Sequence, residues 1–205
     1  MTTIKLTYFD FPGGRGEDCR LALFIAGVDF EDDRVGSKAW PERKPGTPYG
    51  AMPVLEIEGL GQLAQSNTIL RYLGRKYDLH PIDEWEAARH EALMCAVEDL
   101  RAAIIPTFRI EDDGERKKAR EELADGYIQR WAANVEKQLG DGPYLGGHRI
   151  NVVDLKLFVV MTWFISGKLD HIRTNVFEKH PKLLAHYEAV KTHPKVVEWY
   201  SRGSS

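Results

Sequence analysis

Cysteine is nearly absent from this sequence: Cys19 and Cys95 are the only two in 205 residues. Distant from each other, they form neither a C-x-x-C pair nor a zinc-type spacing. That fits a reducing compartment and gives no reason to expect a metal. Charge of one sign is also lacking. The 28 Lys+Arg against 31 Asp+Glu leave a net charge of −3, so there is no basic field for nucleic acid. Long apolar runs are missing too. The most apolar segment, Val152 to Ile165 (VVDLKLFVVMTWFI), is too short for a bilayer and carries Asp154 and Lys156. It reads as a buried core helix. The N-terminal MTTIKLTYF has neither the basic nor the apolar region of a signal peptide. A cytoplasmic, soluble protein without a membrane partner is expected, and its 43% hydrophobic content suffices for a core.

What the chain does contain is ordered pattern. IKLTYF reads as a strand, and Arg20 to Ala26 as a helix that Gly27 ends. Asp29 to Val35 makes a weaker second strand. The proline-rich PERKPGTPYGAMP precedes a third strand, Val54 to Ile57, and the turn Glu58 to Gly61 leads to a fourth, QLA. Ser66 is placed to cap a helix over 67–77 with Ile69, Leu70 and Leu73 at helical spacing. The order β-α-β then β-β-α predicts an α/β domain over 1–78 with a mixed four-stranded sheet. A linker over 79–83 follows, and 84–205 read as an all-helical domain. Leu93, Val97, Leu100 and Ile104 share one face of a long helix. EDDGERKKAREELAD reads as solvated loop and helix surface, and the SRGSS tail as unstructured. In INVVDL, Asn151 and Asp154 have capping-box spacing, with Ile150 and Leu155 as a hydrophobic staple. Asp154 is therefore expected to cap, not to serve as a catalytic acid.

The densest chemical signal is TYFDFPGGRGED, where a strand passes through a glycine-rich turn into a helix. Such a turn lets backbone N–H groups approach a ligand closely. With AWPERKPGTPYGAMPVLEIEG, QSNTILRYL and HRINVVDLKLF, it resembles the cytosolic glutathione transferases, the sigma class most closely. The likeness runs nearly end to end. It implies a thioredoxin-like first domain that binds glutathione and a helical second domain that forms the site for an electrophile. It also implies a homodimer, with glutathione as co-substrate and no separate cofactor.

Glutathione has two carboxylates, one ammonium and a thiol. The thiol titrates near 8.5, and lowering that by two units takes about 2.7 kcal/mol of preferential thiolate stabilisation. A hydroxyl donating to a charged acceptor supplies about 1.5–3 kcal/mol. Tyr8, at the family's tyrosine position, is the expected neutral donor to the sulfur, and the resemblance assigns Arg15 to assist it. The turn carries one residue more than the family pattern, Pro12-Gly13-Gly14, which bears on the alignment of Arg15. Gln65 and Ser66 match the pair that holds the γ-glutamyl carboxylate at a helix N-terminus. Met52, before the family's cis-proline Pro53, would pair its backbone with the cysteinyl residue. Trp40 and Lys44 match contacts to the glycyl end, where Ala51 departs from the lysine of many sigma-type sequences. Asp99, in the acidic pair Glu98-Asp99, matches an aspartate that reaches the neighbouring subunit's glutathione.

Cys19, inside the first helix, is expected to be a small core residue. Phe108, Ile105, Trp163 and the region of Tyr200 are the candidates for the electrophile pocket. The resemblance also admits a glutathione-dependent isomerase of the prostaglandin D synthase kind, a glutathione peroxidase, or a non-catalytic relative. Ile104-Ile-Pro-Thr107 stands where vertebrate isomerases carry an aromatic residue, and a retired site would have no reason to keep Tyr8, Gln65 and Ser66.

Overall fold

A computed structural model of the chain describes residues 2–202. Strand β1 (Ile4–Phe9) is joined to β2 (Glu31–Val35) through helix α1 (Gly14–Ile25), and the two strands pair in parallel. A parallel pair needs such a crossover. β3 (Val54–Ile57) lies antiparallel to the other side of β1, with Leu6 opposite Leu55, and β4 (Gly61–Ala64) completes the order β2-β1-β3-β4. Gly27, at a φ of +69°, provides the left-handed residue after α1. The proline-rich stretch is not wholly irregular. It holds a short helix α2 (Trp40–Arg43) and a 3-10 turn over Lys44–Gly46. Met52-Pro53 is a cis peptide immediately before β3.

Helix α3 runs over Ser66–Lys76, and Gln65, not Ser66, is its N-cap residue, without a side-chain capping bond. The expected cap is corrected for a physical reason. Ser66 is drawn inward, where its Oγ accepts a hydrogen bond from the buried Lys156. The linker is stitched to both halves: Leu79 N–H donates to Gly74 at 2.8 Å, and Val152 N–H to Leu79 at 2.9 Å.

The helical half comprises α4 (Glu84–Ile104), α5 (Asp113–Asp125), α6 (Tyr127–Glu136), α7 (Val152–Ile165), α8 (Pro181–Lys191) and α9 (Pro194–Ser201). Asp83 caps α4 by accepting from Glu86 N–H at 2.9 Å. The charged run forms α5, and it is not all surface. Arg120 is buried, donating to Thr107 Oγ at 3.0 Å and stacking on Phe108. Of the SRGSS tail, Ser201 ends α9 and Arg202 follows it, while 203–205 lie outside the described residues.

Helix α7 is central. It packs on α1, α3, α4 and α8, so its apolar residues face inward nearly all round, as the sequence pattern required. Asp154 accepts from Asn151 N–H at 2.8 Å, the reach-back half of the expected capping box. Leu6, Leu21, Leu70, Leu100, Leu155 and Phe164 belong to one continuous core across both halves. Cys19 lies in it, fully buried, and burial pushes its thiol well above the ordinary range. No described helix is long and apolar enough to cross a membrane.

Candidate active site

The end of β1 and the start of α1 meet around the Tyr8 ring. The Tyr8 hydroxyl accepts the Arg15 backbone N–H at 3.2 Å, so its own proton is left to donate elsewhere. Burial raises the Tyr8 pKa above its ordinary value, which keeps the phenol protonated at neutral pH. The close approach depends on glycine: a Cβ on Gly16 would fall 2.1 Å from the Tyr8 ring.

Below the ring lies Arg20, buried, its guanidinium 5.7 Å from the ring centroid. It donates to the Phe9 and Phe11 carbonyls at 3.2 Å each and to Asp32 at 2.9 Å. Arg20 thus holds the strand end and the glycine turn in one geometry. It also meets Glu17 at 3.4 Å, and Glu17 accepts from Trp199 Nε1 at 2.7 Å. That second link ties α9 to the turn.

The Arg15 guanidinium pairs with Glu98 Oε2 at 2.7 Å. Glu98 belongs to a cluster under the N-terminus of α3. Lys156 Nζ meets Glu98 at 2.5 Å, Asp18 at 3.3 Å and Ser66 Oγ at 3.4 Å. Arg101 grips Asp18 with two bonds of 2.8 and 2.9 Å and reaches Glu98 at 2.9 Å. Asp18, Arg101 and Lys156 have side chains with no exposure at all. Burial works against ionisation of Glu98, but the Lys156 and Arg101 charges outweigh it and hold its carboxyl at about 2.

Ser66 and Tyr8 are therefore brought into one charged neighbourhood through Lys156, Glu98 and Arg15. Gln65 stands beside Ser66 at a φ of +71°, a backbone conformation that disfavours a side chain by about 1–3 kcal/mol. Trp40 packs its ring edge-on against Phe9 at 5.7 Å. Lys44 and Ala51 are exposed, and Met52 is half-buried before the buried Pro53. Asp99 is exposed and lines a different cavity, of about 500 Å³, with Tyr127 and Trp131 between α4 and α6. Within this chain its neighbour Glu98 shares the Lys156 ammonium with Ser66.

Beside the turn lies a cavity of about 430 Å³ lined by Phe11, Pro12, Phe108, Trp163, Lys168 and Leu169. Phe108 and Trp163 were expected there. Ile105 and Tyr200 are not among its walls; Tyr200 packs near Phe158 instead. The Phe11 ring joins this cavity to Tyr8, 5.7 Å centroid to centroid. One possible cation trio, Asp113, Asp170 and His171, has ligand atoms within 4.8 Å of one another. Arg116 pairs with both of its carboxylates and Arg120 with Asp170, so it reads as an ion-pair cluster.

Sequence reasoning missed Asp18, Arg20, Arg101 and Lys156. Only Lys156 carried a signal, as a lysine inside an otherwise apolar helix.

Comparisons with known proteins agree with this architecture. The sequence profile of the glutathione S-transferase N-terminal domain matches residues 4–75, and that of the glutathione S-transferase C-terminal domain matches 98–203. The chain belongs to the glutathione S-transferase family. It is 33% identical to glutathione S-transferase 1 of Ascaris suum, over 97% of this chain and 96% of that one. Among solved structures it is similar to a prostaglandin synthase D of Nilaparvata lugens, with a TM-score of 0.86 and 30% identity over 99% of each chain. It is also similar to a monomeric glutathione S-transferase of the hookworm Necator americanus, with a TM-score of 0.87 and 27% identity. That match covers 99% of this chain and 98% of the other.

Proposed function

We propose that the protein transfers glutathione to electrophilic small molecules, with the Tyr8 hydroxyl donating a hydrogen bond to the thiolate. The observation that carries this reading is the Arg15 N–H bond to the Tyr8 oxygen at 3.2 Å, which leaves a neutral phenol with one free proton. The thiol's proton goes to solvent, and the phenol stays protonated throughout. The sulfur attacks the electrophilic carbon, and the leaving group departs with the displaced electron pair. Arg15 lends positive charge at the start of α1, where the helix dipole also favours an anion.

The γ-glutamyl carboxylate sits against Ser66 and Gln65 at the N-terminus of α3. The cysteinyl residue pairs with the Met52 backbone beside cis-Pro53, and Trp40 and Lys44 take the glycyl end. Ala51 offers that end no charge. The apolar cavity with Phe108 and Trp163 receives the electrophile. Glutathione is a co-substrate in this scheme, and no resident cofactor is needed. The likeness to a prostaglandin synthase supports a second reading, isomerisation of an endoperoxide by the same thiolate. Product analysis on an endoperoxide substrate separates the two.

In solution a homodimer is proposed, in which the exposed Asp99 reaches the partner's glutathione ammonium. One structural relative is described as monomeric, so the fold alone does not fix this. Solution mass against the chain's 23.3 kDa decides it.

The central test is glutathione conjugation to chlorodinitrobenzene by the wild type and Tyr8→Phe. A loss of about tenfold or more in kcat/KM, at least about 1.4 kcal/mol at the transition state, is expected. Equal rates would mean that another group holds the sulfur.

A further inference from the structure

We propose that Lys156 is a positioning residue for glutathione. It fixes the Ser66 hydroxyl as a donor toward the γ-glutamyl carboxylate and belongs to a buried cluster whose cations outnumber its carboxylates. This inference rests on the glutathione reading above.

The first half follows from proton counting. An ammonium has three N–H groups and accepts nothing, whereas a serine hydroxyl has one proton and two lone pairs. The three close partners of Lys156 Nζ are Glu98, Asp18 and Ser66 Oγ. Toward Lys156, Ser66 is therefore an acceptor, and its single proton points elsewhere. Ser66 opens α3 as its first residue, where the leading N–H groups of a helix lack partners within it. A hydroxyl set there with its proton directed away from Lys156 matches a carboxylate docking on those same N–H groups.

The second half follows from charge. Around Ser66 the cluster gathers Arg15, Arg101 and Lys156 against Asp18 and Glu98, three cations to two carboxylates. One positive charge is left over beneath a helix N-terminus. Stability alone is a poor reason for this arrangement, since buried ion pairs are often matched or bettered by apolar side chains of similar volume. An incoming carboxylate would complete the balance.

The rival explanation is that Lys156 merely staples α7 to α1 and α4. The two differ in which part of the ligand notices its loss. Binding of glutathione is measured by calorimetry beside an analogue lacking only the γ-glutamyl carboxylate, the 4-aminobutyryl-cysteinyl-glycine tripeptide. For Lys156→Met we expect roughly 10- to 100-fold weaker glutathione binding, the range of a hydrogen bond to a charged group. Binding of the analogue should stay unchanged, and the pH profile of kcat at saturating glutathione should keep its wild-type midpoint. Equal losses for both ligands, or loss for neither, would overturn the assignment.

Should Lys156→Met fail to fold, the double variant Asp18→Asn, Lys156→Met removes one charge of each sign; it keeps the cluster's surplus and tests the Ser66 half of the inference with the same pair of ligands. Failure of the wild type to bind glutathione at all would overturn the functional reading, and this one with it. Normal wild-type binding with no selective loss in the variant would overturn this inference alone.

Discussion

Gly16 has no side chain because the Tyr8 ring occupies the place where one would begin. Gly16→Ala must push the ring off its hydrogen bond to Arg15 or bend the start of α1. Overpacking of this kind destabilises by about 1–3 kcal/mol. The expected outcome is a conjugation rate at least as low as that of Tyr8→Phe, with a lowered but cooperative thermal transition. A wild-type rate in Gly16→Ala would show that the Tyr8 geometry is not what activates the thiol. At this scale the sequence was legible in where residues stand: Tyr8, Arg15 and the Gln65-Ser66 pair lie at the strand end and helix starts that the pattern marks, while their proposed roles come from the family resemblance. Asp18, Arg101 and Lys156 read as ordinary charges, because what buries them together comes from three different helices.

Helix α7 shows how an element can be specified twice, by its apolar faces and by its start. Asp154 is buried and accepts from the Asn151 and Leu145 N–H groups at 2.8 and 2.9 Å, with His186 Nε2 at 2.8 Å. Asp154→Ala strands buried donors and removes the cap. A loss of about 3 kcal/mol follows from a cap plus one or two unsatisfied groups. For a chain of this size that lowers the Tm by about 6–12 °C. Calorimetry checks it, and glutathione affinity below the transition should be unaltered if Asp154 only caps. Strand β3 was read with its observed bounds, and the buried face of α4 with Leu93, Val97, Leu100 and Ile104 was readable from its helical period. Helix α2 was not, since four residues that include Pro41 carry no period. The start of α3 was misread because Ser66 satisfies its hydroxyl through a residue of α7, which no local rule contains.

Across the molecule, acidity should act in two stages. His80 and His90 stack in the seam between the linker and α4, and burial depresses both pKa values below 6.5. The folded state therefore holds them neutral, and their contribution is lost as pH falls through the unfolded value near 6.5. The slope approaches about 1.4 kcal/mol per pH unit for each histidine. Glu98, held at about 2, contributes stability above its unfolded value of 4.5, lost as pH drops from there toward 2. Urea midpoints between pH 7 and 2 should show the histidine stage first and the acid stage below about 4.5. His90→Gln should flatten that stage while leaving the acid stage in place, and an unchanged profile would remove His90 from the account.

The tie from Trp199 through Glu17 to Arg20 makes the last helix a sensor of what happens at the first turn. When α9 frays from its seat, Glu17 loses the Trp199 donor that fixes it beside Arg20, and the Arg20 grip on the Phe9 and Phe11 carbonyls slackens. Frayed molecules would then bind the tripeptide poorly. By mass action, a ligand at a hundred times its Kd should suppress that fraying by about 2.7 kcal/mol. Amide deuterium uptake in residues 194–201 should slow by roughly a hundredfold in saturating glutathione, if the tripeptide binds at the proposed site. Unchanged uptake there would mean that the chain's far end opens and closes without the site taking notice.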